Sequence, residues 1–449
     1  MPEKKNVMIQ MKHTRDLRNA MISSKFSAST VSSLEVRGFS IDESFIPVQI
    51  PTRTPREEID ANEVDKLFSY NVQPEASTYI IRGKVDDMAA LHKLREEIKK
   101  NPEYIEVFAD VRISPFPVKP DVCPKDPVGD QNDVADLLKA DELHEKGMDG
   151  SNVIVAIVDT GINLGHLRDK DVDAKLDVKK SWSPLDEIVF GPGKYPPDHG
   201  TMCAFDVCIT APNCTLLDIA LLRSQRGGAT VMEGFLSDAV KAYSNLLELI
   251  SSENKKSSLV INNSWGMFNP SWDFPKGDPG NYSDNPNHPF NIIVESLDDA
   301  GADILFAAGN CGKKCPDSRC DGATNRPIYG ANSLDNVLCV GGVTIKNALL
   351  GYSSQGPGRL SKNKPDICAY THFKGSDIYP EDGGTSAACP VAAGVVAAIR
   401  SVHSPDDLTP AQLRNILRKN AIDLGKRGFD YKFGYGLIDP IGTVNALSE

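Results

Sequence analysis

The chain has 449 residues, 40% of them hydrophobic, and a formal net charge of −12. That length exceeds one ordinary domain and is ample for a large core, so two domains are expected. The acidic balance argues against nucleic acid or an anionic membrane as partner, and ten cysteines are too sparse for a disulfide scaffold. With no apolar signal-peptide core at the start and no stretch that approaches a membrane span, the expectation is a soluble, cytoplasmic protein whose thiols are mostly reduced.

In chain order, Val7, Ile9 and Met11 alternate with polar neighbours as in a half-buried strand, and a helix capped by Thr14 follows over 14–25. Pro47, Pro51, Pro55 and Pro74 among charged residues predict a less ordered arm over 40–77, around one short helix at 59–70. A strand at 79–85, a helix with Leu91, Leu94 and Ile98 on its apolar face, and a strand at 104–113 complete a small α+β domain over 1–118. The prolines from Pro115 to Pro127 favour an extended connection, so 119–130 reads as a linker.

The remaining residues, 131–449, alternate between strand and helix. A helix over 131–146 with Val134, Leu137 and Leu138 on one face leads to a fully apolar strand, 153–158. Beyond it come a strand at 215–222, a helix at 231–250, a strand at 258–263, a helix at 292–300 and a strand at 303–308. Such alternation implies right-handed βαβ units, an α/β fold with a mostly parallel sheet and helices on both faces. Thr409 followed by Pro410 marks the start of a late helix ending near Asn420.

Three places carry chemistry. Asp159 stands at the carboxyl end of the apolar strand, where the sites of open α/β sheets gather. His199 begins His199-Gly200-Thr201, and Ser386 lies in Gly383-Gly384-Thr385-Ser386, at the mouth of an Ala- and Gly-rich helix whose unpaired N–H groups and dipole favour an anion. Each alone has a plain structural reading: Asp159 as a turn cap, His199 as a core histidine, Thr385 or Ser386 as an N-cap. Together they follow the chain order Asp, His, Ser of a known serine triad.

With Asn263-Ser264-Trp265-Gly266, Phe306-Ala307-Ala308-Gly309-Asn310 and Tyr352-Ser353-Ser354-Gln355-Gly356-Pro357 added, six co-linear motifs over about 131–445 resemble the subtilisin-like serine proteases, the subtilases. The stretch 90–107 is similar to the second half of a subtilase propeptide, a small ferredoxin-like domain that assists folding and blocks the cleft. The resemblance implies a serine endopeptidase made as a self-inhibited precursor, with cleavage between Ile113 and Gln131. A selective maturation protease or transpeptidase shares every catalytic residue, and a silent peptide-binding pseudoprotease is disfavoured because all four groups are present.

In that reading Ser386 is the nucleophile, His199 its base, Asp159 the group that orients the imidazole, and Asn310 an oxyanion donor. Substrate is expected to pair as a strand with Ser264, Trp265 and Gly266, with Ala307, Ala308 and Gly309 as the opposite pocket wall. The loop 267–290 is expected to form part of the cleft rim. Partners are then a peptide or protein substrate and the chain's own N-terminal domain. No cofactor or metal is expected: only residues 202–210 separate Thr201 from Ala211, shorter than the calcium loop of many relatives. Cys311, Cys315 and Cys320, like Cys203, Cys208 and Cys214, lack common zinc spacing, leaving reduced thiols, a disulfide or redox role, or zinc open.

Overall fold

The structure is a computed structural model that describes residues 4–31, 34, 36–51, 78–116, 124–184, 190–223, 232–252 and 258–448. Five strands near the start, Lys5–Lys12 (β1), Phe39–Ile41 (β2), Val48–Ile50 (β3), Thr78–Val85 (β4) and Tyr104–Ala109 (β5), form an antiparallel sheet ordered β2-β4-β1-β5, with β3 also on β4. Helix Arg15–Ser23 (α1) begins where Thr14 Oγ1 accepts from Leu17 N, and helix Met88–Lys100 (α2) where Asp87 accepts from Ala90 N. The order, with a helix after β1 and after β4, is that of the split βαβ unit of ferredoxin-like domains.

Two expectations for this region change. The arm begins with strands β2 and β3 on β4, while its helix at 59–70 lies outside the described residues. Strand β1 is buried on both faces, Met8 as fully as Val7 and Ile9, because the sheet rests on helices from the other half of the chain.

The predicted strand over 104–113 is in fact two. β5 ends at Ala109, and after a turn at Asp110 the strand Arg112–Pro115 (β6) departs to pair elsewhere. The Asp110 carboxylate fixes the turn, accepting from Ser237 N and Ser237 Oγ at 2.8 Å each. An acceptor on one domain thereby caps the orphan donors at a helix start in the other.

The second half opens with Gln131–Leu138 (α3) and Ala140–Glu145 (α4), where one helix was expected; Lys139, at φ 56°, breaks it in two. The strands are Val153–Val158 (β7), Lys175–Leu176 (β8), Thr215–Ile219 (β9), Gly234–Phe235 (β10), Ser258–Asn263 (β11), Trp265–Gly266 (β12), Asp303–Ala307 (β13), Leu338–Val343 (β14) and Ile367–Tyr370 (β15). Seven of them form one parallel sheet ordered β15-β14-β13-β11-β7-β9-β8. Helices Leu164–Asp169 (α5), His199–Cys208 (α6), Leu236–Ser252 (α7), Pro289–Asp299 (α8), Gly384–Arg400 (α9), Pro410–Asn420 (α10) and Pro440–Ser448 (α11) complete the chain. Among the described residues no helix is long and apolar enough to cross a membrane.

The order β13-β11-β7 sets the carboxyl ends of three strands side by side, each leading into one of the sequence motifs. Helix α9 is buried along its whole length and touches β7, β11, β13, β14 and β15. Its small residues permit this approach: a Cβ at Gly394 would stand 2.5 Å from the Val207 carbonyl oxygen of α6.

The N-terminal sheet docks on α7, α8 and the loop between β12 and α8. Arg82 reaches Asp42 on its own side and Ser237 and Asp238 across the junction. Arg95 clamps Asp278 through two bonds of 2.7 and 2.6 Å, and Ala109 N donates to Gly280 O. Apolar residues of both halves belong to one continuous cluster that includes Ile9, Ile81, Tyr243 and Phe290.

Candidate active site

Asp159, His199 and Ser386 are fully buried, and Asn310 is 2% exposed. His199 is the first residue of α6, held there because Asp198 caps the helix. Its Nδ1 lies 2.8 and 3.0 Å from the two carboxylate oxygens of Asp159. Thr160 ties the two motifs together: its N–H donates to Asp159 and its hydroxyl accepts from Gly200 N. With Nδ1 donating to the carboxylate, the lone pair of the imidazole is on Nε2, which has no hydrogen-bond partner among the described residues.

Ser386 stands in the first turn of α9, its Oγ donating to the Ser264 carbonyl at 3.1 Å. Cys203, on α6, faces α9, its Sγ 3.9 Å from His199 Nδ1 and 3.8 Å from the Ser386 carbonyl oxygen. Burial, aided by the charge of Asp159, pushes the Cys203 thiol well above its usual pKa, so it is a neutral packing group. Behind β7, burial lifts Asp218 to about 7 against the opposing N–H donors of Gly193 and Ile162. Those two bonds brace the loop that follows Asp159.

Asn310 follows Gly309, which turns at φ 96° beyond β13. Its Oδ1 accepts from Thr385 N at 3.0 Å and Thr385 Oγ1 at 3.1 Å. These bonds fix which way the amide faces and send its Nδ2 into the cleft, where it donates to the Phe116 carbonyl at 2.7 Å. The cleft is therefore filled by the chain itself. Strand β6 pairs antiparallel with β12, Pro115 opposite Trp265 and Ser114 opposite Gly266, and Phe116 N donates to Ser264 O. On its other edge β6 pairs with β10.

The Phe116 ring lies against Gly266 and Gly309, at either of which a Cβ would come within 3.3 Å of it. Gly384, at φ 75°, is equally constrained, since a Cβ there would stand 2.2 Å from the Phe116 carbonyl oxygen. Ser264, Trp265, Gly266 and Gly309, the residues expected to meet substrate, here meet a strand of the chain itself. The Trp265 ring does not: it packs between Phe290 and Phe306 in the core, and only its backbone faces the cleft. Ala307 and Ala308 are buried, Ala308 against Ile328 and Cys339.

Sequence reasoning missed three contributors. Asn332 joins the two walls, its Nδ2 donating to Trp265 O and Ala307 O. Phe268 sets its ring 4.8 Å from that of Phe116, within the loop expected as cleft rim. Arg319 donates to the Pro115 carbonyl. The cysteines after Asn310 are not free thiols: Cys311 is bonded to Cys320, and Cys315 is also disulfide-bonded. Cys203, Cys208, Cys214, Cys339, Cys368 and Cys389 are free and buried.

Comparison with known proteins bears on this arrangement. Residues 150–436 match the description of the peptidase S8, or subtilase, family. Subtilisin DY of Bacillus licheniformis is 29% identical over 307 residues, covering 68% of this chain and 94% of that protein. Furin of Bos taurus is 26% identical over 339 residues, 70% of this chain and only 39% of furin. Among solved structures, fervidolysin from Fervidobacterium pennivorans, a keratinolytic enzyme related to subtilisin, superposes with a TM-score of 0.60 at 17% identity, covering 99% of this chain and 61% of that one.

Proposed function

Because the chain belongs to the subtilase family and is a subtilisin-like serine peptidase, we propose that it is an endopeptidase working through Asp159, His199 and Ser386, with Asn310 as an oxyanion donor. Ser386 Oγ attacks the peptide carbonyl after turning from Ser264 O toward His199 Nε2, whose lone pair receives its proton. Asp159 holds the tautomer that leaves Nε2 free and stabilises the imidazolium that forms. The carbonyl oxygen becomes an oxyanion beside Asn310 Nδ2 and the Ser386 backbone N–H at the start of α9. His199 returns the proton to the leaving amine, and water admitted through the same base releases the acyl group.

The observation that carries this reading is the Phe116 carbonyl held 2.7 Å from Asn310 Nδ2 while its strand pairs with β12. The chain lies as an extended substrate would, with Phe116 before the bond to be cut. The N-terminal domain accordingly acts as the enzyme's own inhibitor, and cleavage between Ile113 and Gln131 relieves it. A fluorophosphonate probe tests the assignment. It should modify Ser386 and no other serine, and labelling that persists in Ser386→Ala would overturn the role of Ser386.

A further inference from the structure

The loop that follows Asn310 contributes a side chain to the strand in the cleft. Arg319 Nη1 donates to the Pro115 carbonyl at 3.1 Å. Its Nε and Nη2 are held by Asp317 Oδ1 and Oδ2 at 3.0 and 2.9 Å, a bidentate pair that fixes the plane of the guanidinium. That plane stands over Phe268, 3.8 Å from the ring centroid, and Phe268 in turn lies against Phe116. The loop cannot drift from the cleft, since the Cys311–Cys320 disulfide closes it and Asp317 N donates to Asn310 O.

We infer that Arg319 is a peptide-binding residue: it binds the carbonyl of the residue one place before the residue at the cleaved bond. The inference rests on the reading of β6 as a substrate-like strand. The carbonyl concerned is a backbone group present in every peptide, so this bond contributes affinity without regard to sequence. Arg suits the place where Lys would not: one planar group serves a carboxylate, a carbonyl and a ring at once.

The test uses the full-length chain, in which β6 covers Ser386, and follows the rate at which a fluorophosphonate probe labels that serine. Arg319→Met keeps an apolar side chain on Phe268 and removes the donor. It should speed labelling about 10- to 100-fold, the range expected for losing one charged hydrogen bond to the strand. Phe116→Ala should also speed labelling, and adding Arg319→Met to it should give less than the product of the two effects, because both act on one docked strand. Labelling of Arg319→Met at the wild-type rate would overturn the inference. So would full multiplicativity in the double variant, which would mark a general structural role. If Ser386 is labelled in neither the wild type nor any variant, the peptidase reading fails and this inference falls with it; if wild-type Ser386 is labelled and Arg319→Met changes nothing, the inference fails alone.

Discussion

β5 and β6 are separated by only two residues, yet they belong to different structures. β5 pairs with β1 and buries Val107, Phe108 and Ala109 at the edge of its own domain's sheet. Among the described residues β6 has no partner in that domain; its neighbours are β10 and β12, the Pro115 carbonyl meets Arg319, and the carbonyl of Phe116 just beyond it meets Asn310. One strand builds a fold, and the other lies in the proposed active site. The turn at Asp110 makes the difference, which teaches that a domain boundary in sequence need not be a boundary in function.

The contrast can be broken most severely at the nucleophile. Ser386→Ala should lower kcat on the order of 10⁶-fold, while circular dichroism and melting stay near wild type and β6 remains docked and uncut. Loss of folding instead would mean that Ser386 serves β6 only as a packing surface. Asn310→Ala should lower kcat by about 10²–10³-fold with little change in KM. A change in KM alone would make Asn310 a binding group for strands such as β6.

A smaller substitution separates the two strands directly. In Gly266→Ala the new Cβ would stand 2.7 Å from the Phe116 ring and 3.0 Å from Asn332 Nδ2. Overpacking of this kind costs about 1–3 kcal/mol, so Ser386 in the full-length chain should label faster, roughly 5- to 150-fold. Hydrogen exchange at β5 should be unaffected. Equal loss of protection in both strands would show that they come away together.

The smallest effect concerns pH. Burial raises Asp110 to about 6 from an ordinary 3.8, outweighing the nearby Arg82 charge and the Ser237 bonds. A carboxyl group whose folded pKa is raised favours the folded state most below 3.8, and that contribution is lost as pH rises through 6. Melting curves of wild type and Asp110→Asn should therefore diverge in favour of wild type as pH falls from 6 to 4. A constant difference across that window would show that Asp110 does not titrate on docking. Taking the difference between the two proteins removes the opposing influence of His288, held down at about 3 by burial.

Much of the site was legible in the sequence because its motifs sit at strand ends, and a parallel order of strands brings such ends together. Asp159, His199, Ser386 and Asn310 needed only that topology. The break after Ala109 was not legible: alternation reports a strand but not its partner, and nothing in 104–113 says that the second half pairs across the cleft. Lys139 escaped for a similar reason, since a single left-handed residue leaves the apolar spacing of Val134 and Leu138 intact. Arg319 and Asn332 lie in irregular loops where no period exists, and the pairing of Cys311 with Cys320 depends on a loop path that spacing does not reveal.

Since β6 is part of the chain whose cleft it fills, its hold has a property that no separate inhibitor has. Dilution does not release it. A segment tethered at such short range acts as though present at about millimolar concentration whatever the amount of protein, so a foreign peptide of equal affinity must approach that level to occupy half the sites. Once the connection beyond Phe116 is cut, occupancy falls under ordinary mass action. Under the proposed self-inhibition, the cut protein should become more active per molecule as it spreads into a larger volume, whereas the uncut protein should be as silent when scarce as when abundant.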